Sequence, residues 1–241
     1  MLSITTENSL FKYIIGTDEV GRGPLAGPVI ASSVLIFPEK IASFQTQALQ
    51  FGVTDSKKLN LKKRQEIFQI FFPKLLVEDL KLNHVYQFDF GLMSLSSISC
   101  TEIDEINILQ ASLKAMKKSA WDLIEHQQCQ LPFHLLIDGN KKFHFHDQEK
   151  FMAAKECQRS KCHIEALVKG DAKNVLIGLA SNVAKLYRDH LMMKLAEKFP
   201  YYGWEKNMGY PTKLHQEGIL KYGITIHHRK TFGPVKNFIF N

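Results

Sequence analysis

Apolar runs, alternating stretches and helical repeats succeed one another along this chain, and the changes of period outline its elements. Unbroken apolar runs at residues 13–16 and 28–37 (PVIASSVLIF) predict two buried strands joined by the glycine-rich turn GRGPLAG. Asn60 can cap an amphipathic helix with Ile67, Phe68, Ile70 and Phe71 among its apolar positions, ending near residues 73–77, and residues 82–90 read as a further strand. The clearest helix opens at Ser99, which has capping-box spacing with Glu102. Ile103, Ile106, Leu109, Leu113, Met116, Ala120 and Leu123 follow at steps of three or four, with Asp104 among the residues on other faces. Residues 133–137 and 163–168 predict two more strands. A long helix follows over 175–199, then a shorter one over 212–222 closed by Gly223 as a left-handed cap.

Strands interleaved with helices, then helices alone, predict an α/β fold. We expect an α/β domain over residues 1–185 and a basic helical extension over 186–241, packed as one unit. The chain has 241 residues and 45% apolar content, enough for a full core. No leader-like segment opens it and no apolar run approaches a membrane span, so the expectation is a cytoplasmic protein with no membrane partner. The four cysteines lack paired spacing and read as free thiols; Cys157, Cys162 and His163 make an incomplete set of zinc ligands.

The net charge of +7 is unevenly spread: residues 1–140 carry 13 Lys and Arg against 15 Asp and Glu, residues 141–241 carry 18 against 9. Such asymmetry suits either an anionic polymer contacted by the later part or a basic surface kept for solubility.

The acids at the strand ends carry more information. Asp18 and Glu19 follow the first apolar run, Asp138 ends HLLID, and Asp171 stands just beyond ALVK. Strand ends in an α/β sheet converge where ligands bind, and several carboxylates meeting there favour hard divalent cations. Neighbours on a regular strand point to opposite faces, so Asp18 and Glu19 can share such a site if the strand ends or bends between them. Each acid also has a plainer role: Asp18 and Glu19 as a solvated strand end, Asp138-Gly139 as a hairpin turn, Asp171 as a helix cap. GRGPLAG misses the dinucleotide-binding glycine pattern by one position and opens no helix, but its glycines let backbone N–H groups approach a phosphate or a ribose hydroxyl.

The blocks GTDEVGRGPLAGPV, DSKKL, EIDEINILQASLKAM, LLIDGN, KGDAKN, ASNVAKLYRD, GYPTKLH and IHHRKTFGPV resemble bacterial ribonuclease HII, the type 2 ribonucleases H, in that family's order. The resemblance implies a ribonuclease H-like mixed five-stranded sheet flanked by helices, with a helical C-terminal portion that helps hold the duplex. It implies that Asp18, Glu19, Asp138 and Asp171 are catalytic metal ligands. Gly21, Arg22 and Gly23 match the motif at the junction between a ribonucleotide and the next deoxyribonucleotide. Tyr210 matches a tyrosine packing on the deoxyribose, and Ser56 and Lys57 fall near the substrate backbone. The implied reaction is hydrolysis of the RNA strand of RNA–DNA hybrids and incision 5′ of single ribonucleotides in duplex DNA. It leaves 5′-phosphate and 3′-hydroxyl ends and uses two Mg²⁺ or Mn²⁺ ions.

The chain departs from the family pattern in a long interval between Asp138 and Asp171, where a short helix starting near Asp147 is expected and where His144 and His146 read as a half-exposed edge. Asn207, Met208 and Pro211 replace the family's frequent His, Lys and Gly. A ribonuclease HIII-like hybrid nuclease and a non-catalytic basic nucleic-acid-binding protein are the alternatives. The first typically has GTG in place of Gly21-Arg22-Gly23 and carries an N-terminal domain for which 12 residues leave no room; the second is disfavoured by four intact acids. A monomer is expected. The tail KNFIFN would suit a sliding clamp, with packing of Phe238 and Phe240 preferred.

Overall fold

The computed structural model describes residues 13–127, 132–145 and 162–240. The helix expected near Asp147, together with His146 and Cys157, lies outside them. Among these residues six strands, β1 (Tyr13–Val20), β2 (Val29–Ile36), β3 (Val85–Phe88), β4 (Gly91–Ile98), β5 (Phe133–Asp138) and β6 (Cys162–Leu167), form one mixed sheet in the order β3-β4-β2-β1-β5-β6. β1 pairs antiparallel with β2 and parallel with β5, and β6 runs parallel to β5 at the edge.

The sheet therefore has one strand more than expected. The run at 82–90 holds only the short β3 and a turn, and β4 follows it with the sequence GLMSLSSI. Serines obscured β4, because polar residues at buried positions do not read as a strand. Here Ser94 and Ser96 are fully buried and donate to the carbonyls of Ser119 and Ala115, each at 2.6 Å, so a close helix satisfies them.

Helices α1 (Ile41–Gln50), α2 (Leu61–Phe71) and α5 (Val175–Lys198) cover one face of the sheet, and α3 (Cys100–His126) covers the other. α1 was not expected from the sequence. The caps at Asn60 and Ser99 are as expected, accepting from the N–H groups of Lys63 and Glu102. α3 is broken where a continuous helix was expected: Asn107 sits at φ 66° and its side chain accepts from the N–H groups of Leu109 and Gln110, capping the second half.

The short α4 (Gly170–Lys173) precedes α5, and α6 (Trp204–Asn207), α7 (Lys213–Tyr222) and α8 (Gly233–Phe240) build a third core around Trp204, Tyr202 and Met192. Gly223 follows α7 with a positive φ of 78° but an extended ψ of −166°, so it is not the left-handed cap expected. Residues 185 and 186 lie inside α5, whose buried positions run from the sheet core into the C-terminal core. In the tail, Val235 is buried and Phe238 packs against that third core.

Candidate active site

β1 does not stop at residue 16, ahead of the paired acids, as the apolar run predicted. It continues to Val20, held by β2 through the pairs Asp18–Ser32, Glu19–Ala31 and Val20–Ile30, while its pairing with β5 stops at Thr17 and Ile137. Loss of the β5 partner opens the edge that Asp18 faces. α5 lies close there because Gly16 has no side chain: a Cβ would sit 2.8 Å from Leu176 Cγ.

Asp18, Asp138 and Asp171 each bring a carboxylate oxygen to within 4.8 Å of the others. The plainer readings of two of them fail on geometry. Asp138 begins no hairpin, since β5 runs parallel to β6 and Asp138 Oδ1 accepts from Gly170 N at 2.6 Å. Asp171 does not cap α5; Asn174 does, accepting from Leu176 N at 2.9 Å, which leaves the Asp171 carboxylate for the cluster. Glu19 stands beside the triangle rather than in it. Its Oε1 pairs with Arg22 at 3.3 Å, and its buried Oε2 has no hydrogen-bond partner among the described residues.

Burial, then Glu19 and Asp138, push the Asp18 carboxyl well above the usual range, against a hydrogen bond from Ser181. Burial also raises Glu19, with Arg22 opposing and Asp138 adding; burial, Asp138 and Asp55 raise Asp171 against Lys57. Desolvated carboxylates that repel one another, with a buried oxygen left unpaired, are what a hard divalent cation satisfies. The residues thus fit one.

Ser56 and Lys57 come to the same edge. Ser56 is buried with its hydroxyl 2.8 Å from that of Ser181, so Ser181 joins it to Asp18. Burial disfavours the charged Lys57, but Asp18, Asp171, Asp55 and Asp138 outweigh it and raise its pKa. Ser181 was not singled out in the sequence, where a serine in a helix carries no signal.

The glycine-rich loop is held from behind by two fully buried arginines, Arg188 on α5 and Arg229 after α7, which sequence reasoning also missed. Arg229 donates to the carbonyls of Gly27, Arg22 and Gly21, at 2.7, 2.9 and 2.5 Å for its terminal nitrogens. Arg188 donates to Pro28, Ala26 and Met208, at 3.1, 3.0 and 2.9 Å. In a trans peptide the N–H opposes the C=O. Carbonyls of Gly21 and Arg22 drawn toward Arg229 therefore turn the N–H groups of Arg22 and Gly23 to the other side. Gly21 takes φ +94° and a Cβ there would collide with Arg188.

Tyr210 is brought to this loop, half-exposed, with Cε1 3.3 Å from where a Gly23 Cβ would be. Its carbonyl accepts from His215 Nδ1 at 3.0 Å, and one tautomer set serves the whole buried network: Trp204 Nε1 and His228 Nε2 donate to His215 Nε2, and His228 Nδ1 accepts from Thr225. Burial, then His215 and His227, lower His228 to about 3, so these rings are neutral. At the departure from the family pattern, Asn207 rebuilds the turn by donating to Tyr202 O and Thr212 Oγ1 and accepting from Gly209 N.

The family model described as Ribonuclease HII matches residues 15–234. The chain belongs to the ribonuclease HII family. Ribonuclease HII of Bacillus subtilis is 39% identical over 231 residues, 96% of this chain and 73% of that one. Among solved structures, ribonuclease H2 of Pyrococcus horikoshii superposes with a TM-score of 0.61 at 23% identity, covering 95% of this chain and all of that one. The ribonuclease HII complexed with PCNA from Archaeoglobus fulgidus gives 0.60 at 21%, covering 91% and 95%. As a ribonuclease HII, the chain is an endoribonuclease acting on RNA–DNA hybrids, built on the ribonuclease H-like fold.

Proposed function

We propose that this ribonuclease HII also incises duplex DNA 5′ of single embedded ribonucleotides, leaving 5′-phosphate and 3′-hydroxyl ends, with Mg²⁺ or Mn²⁺ held by Asp18, Asp138 and Asp171 and Glu19 alongside. One juxtaposition carries the reading: a triangle of carboxylates beside a loop whose backbone donors face away from Arg229 and whose Gly23 abuts Tyr210. The chemistry such ions supply when bound is Lewis-acid activation of water and neutralisation of charge on the leaving 3′ oxygen.

The chain's own groups do the reading of substrate. The sugar of RNA differs from that of DNA only at the 2′-hydroxyl. The N–H groups of Arg22 and Gly23 are placed to meet it, with no Cβ at position 23 in the way. The exposed Tyr210 ring offers an apolar surface to the deoxyribose that follows. Ser56 and Lys57 border the acids where a phosphate would enter, and Lys206, Lys213 and Lys230 of the C-terminal segment are exposed and available to a duplex backbone. A sliding-clamp contact through the tail is not part of the proposal, because Phe238 is already packed on the C-terminal core.

The test is cleavage of an end-labelled duplex containing one ribonucleotide, beside an all-DNA duplex and an RNA–DNA hybrid, with Mg²⁺, with Mn²⁺ and with chelator. Metal-dependent cutting 5′ of the ribonucleotide supports the assignment. Cutting of the hybrid alone would overturn it in favour of an HIII-like specificity.

A further inference from the structure

β5 and β6 carry a second group of ligand-type side chains at the end opposite Asp138. His134 and His163 face each other directly across the parallel pair, and Glu165 lies two residues beyond His163 on the same face. One ligand atom from each falls within 4.8 Å of the others, His134 Nε2 lies 3.1 Å from Glu165 Oε2, and the two rings are 4.7 Å apart, tilted by 63°. His134 and Asp138 are four positions apart on β5, about 13 Å along a strand, so this group is separate from the acid triangle.

We propose that His134, His163 and Glu165 form a second metal site, for a borderline divalent transition ion of the zinc type. The ligand set separates it from the first: two imidazoles and one carboxylate suit zinc and its neighbours, whereas an all-oxygen site suits Mg²⁺ or Mn²⁺. His134 is buried, but His163 is exposed and Glu165 partly so, which leaves an entry path and room for water to complete the coordination.

The placement gives the site a role. Among the described residues β6 is the edge strand, joined to the sheet through β5 alone, and it leads directly into α4 and Asp171. An ion bridging His134 to His163 and Glu165 would fix the edge strand in register and steady the turn that presents Asp171. The sequence had set His163 beside Cys157 and Cys162 as an incomplete ligand set; the fold supplies His134 and Glu165 to it from the adjacent positions of the sheet.

The experiment is Zn²⁺ and Co²⁺ titration of the full chain with Mg²⁺ saturating, read by bound-metal analysis after gel filtration and by the Co²⁺ ligand-field absorption. One ion per chain is expected in the wild type. Because His163 is exposed, His163→Gln should fold normally and weaken binding by at least about tenfold, as should Glu165→Gln. Asp138→Asn should bind as the wild type does. No retained ion, equal binding by His163→Gln, or loss of binding in Asp138→Asn would each overturn the site, the last by placing the ion among the acids.

Discussion

The two halves of the active site are assembled in different ways. The carboxylates come from strand ends and the turn after β6, so their approach follows from sheet topology once the strands are placed. The junction loop is held by side chains more than 150 residues away, with Arg188 and Arg229 reaching back to carbonyls at residues 21–28. One half is thus an outcome of local pattern plus topology. The other exists only when the C-terminal segment is docked, which ties substrate reading to folding of the extension.

The largest separation of the halves is expected from Asp138→Asn. Loss of one ligand from a metal site worth several kcal/mol in the transition state should lower cleavage of every substrate by roughly a thousandfold or more, with folding and duplex binding retained. Near-normal cutting would remove Asp138 from the mechanism. Arg229→Lys should instead act selectively. A lysine cannot replace a fork serving three carbonyls, and leaving buried acceptors unpaired costs about 1–3 kcal/mol each. Incision at a single ribonucleotide should fall by about 10- to 100-fold, with hybrid cleavage reduced less. An equal loss on both substrates would mean that the loop serves the carboxylates as much as the junction.

Without a cation the acid half works against stability. Folded Asp18 titrates above its unfolded value, chiefly through burial and Glu19, so the folded state binds the extra proton. Its favourable contribution is present at low pH and is lost as pH rises out of the ordinary carboxylate range through the raised titration. With chelator, Asp18→Asn should therefore melt higher than the wild type at neutral pH, the gap closing toward acid, and Mg²⁺ should raise the wild type more than the variant. Equal melting temperatures across pH would show that the acids do not strain the metal-free fold.

The same division governs what the sequence revealed. The acids, the α5 and α7 helices and the caps at Asn60 and Ser99 were legible because each depends on a few neighbouring residues. β4 was hidden because Ser94 and Ser96 are satisfied by a helix that sequence does not place beside them. Arg188 and Arg229 stood in recognised blocks, but in a basic region an arginine reads as a phosphate contact. Both are wholly buried, so the charge excess of residues 141–241 overstates what faces a nucleic acid.

The smallest expected effect probes the contact within the reading half. Gly23 has no positive φ to preserve, and an alanine Cβ would sit 3.3 Å from the Tyr210 ring, which must give by a few tenths of an ångström. Tyr210 is 42% exposed and free to swing, so Gly23→Ala should change stability by no more than about 0.5 kcal/mol. If the ring position matters, incision at a single ribonucleotide falls a few-fold while hybrid cleavage holds. Tyr210→Ala should produce a larger loss of the same kind, and in that background the alanine at position 23 should add nothing, because the ring it displaces is gone. Additive losses would mean that Gly23 acts through its own approach to the ribose, and that Tyr210 contributes separately.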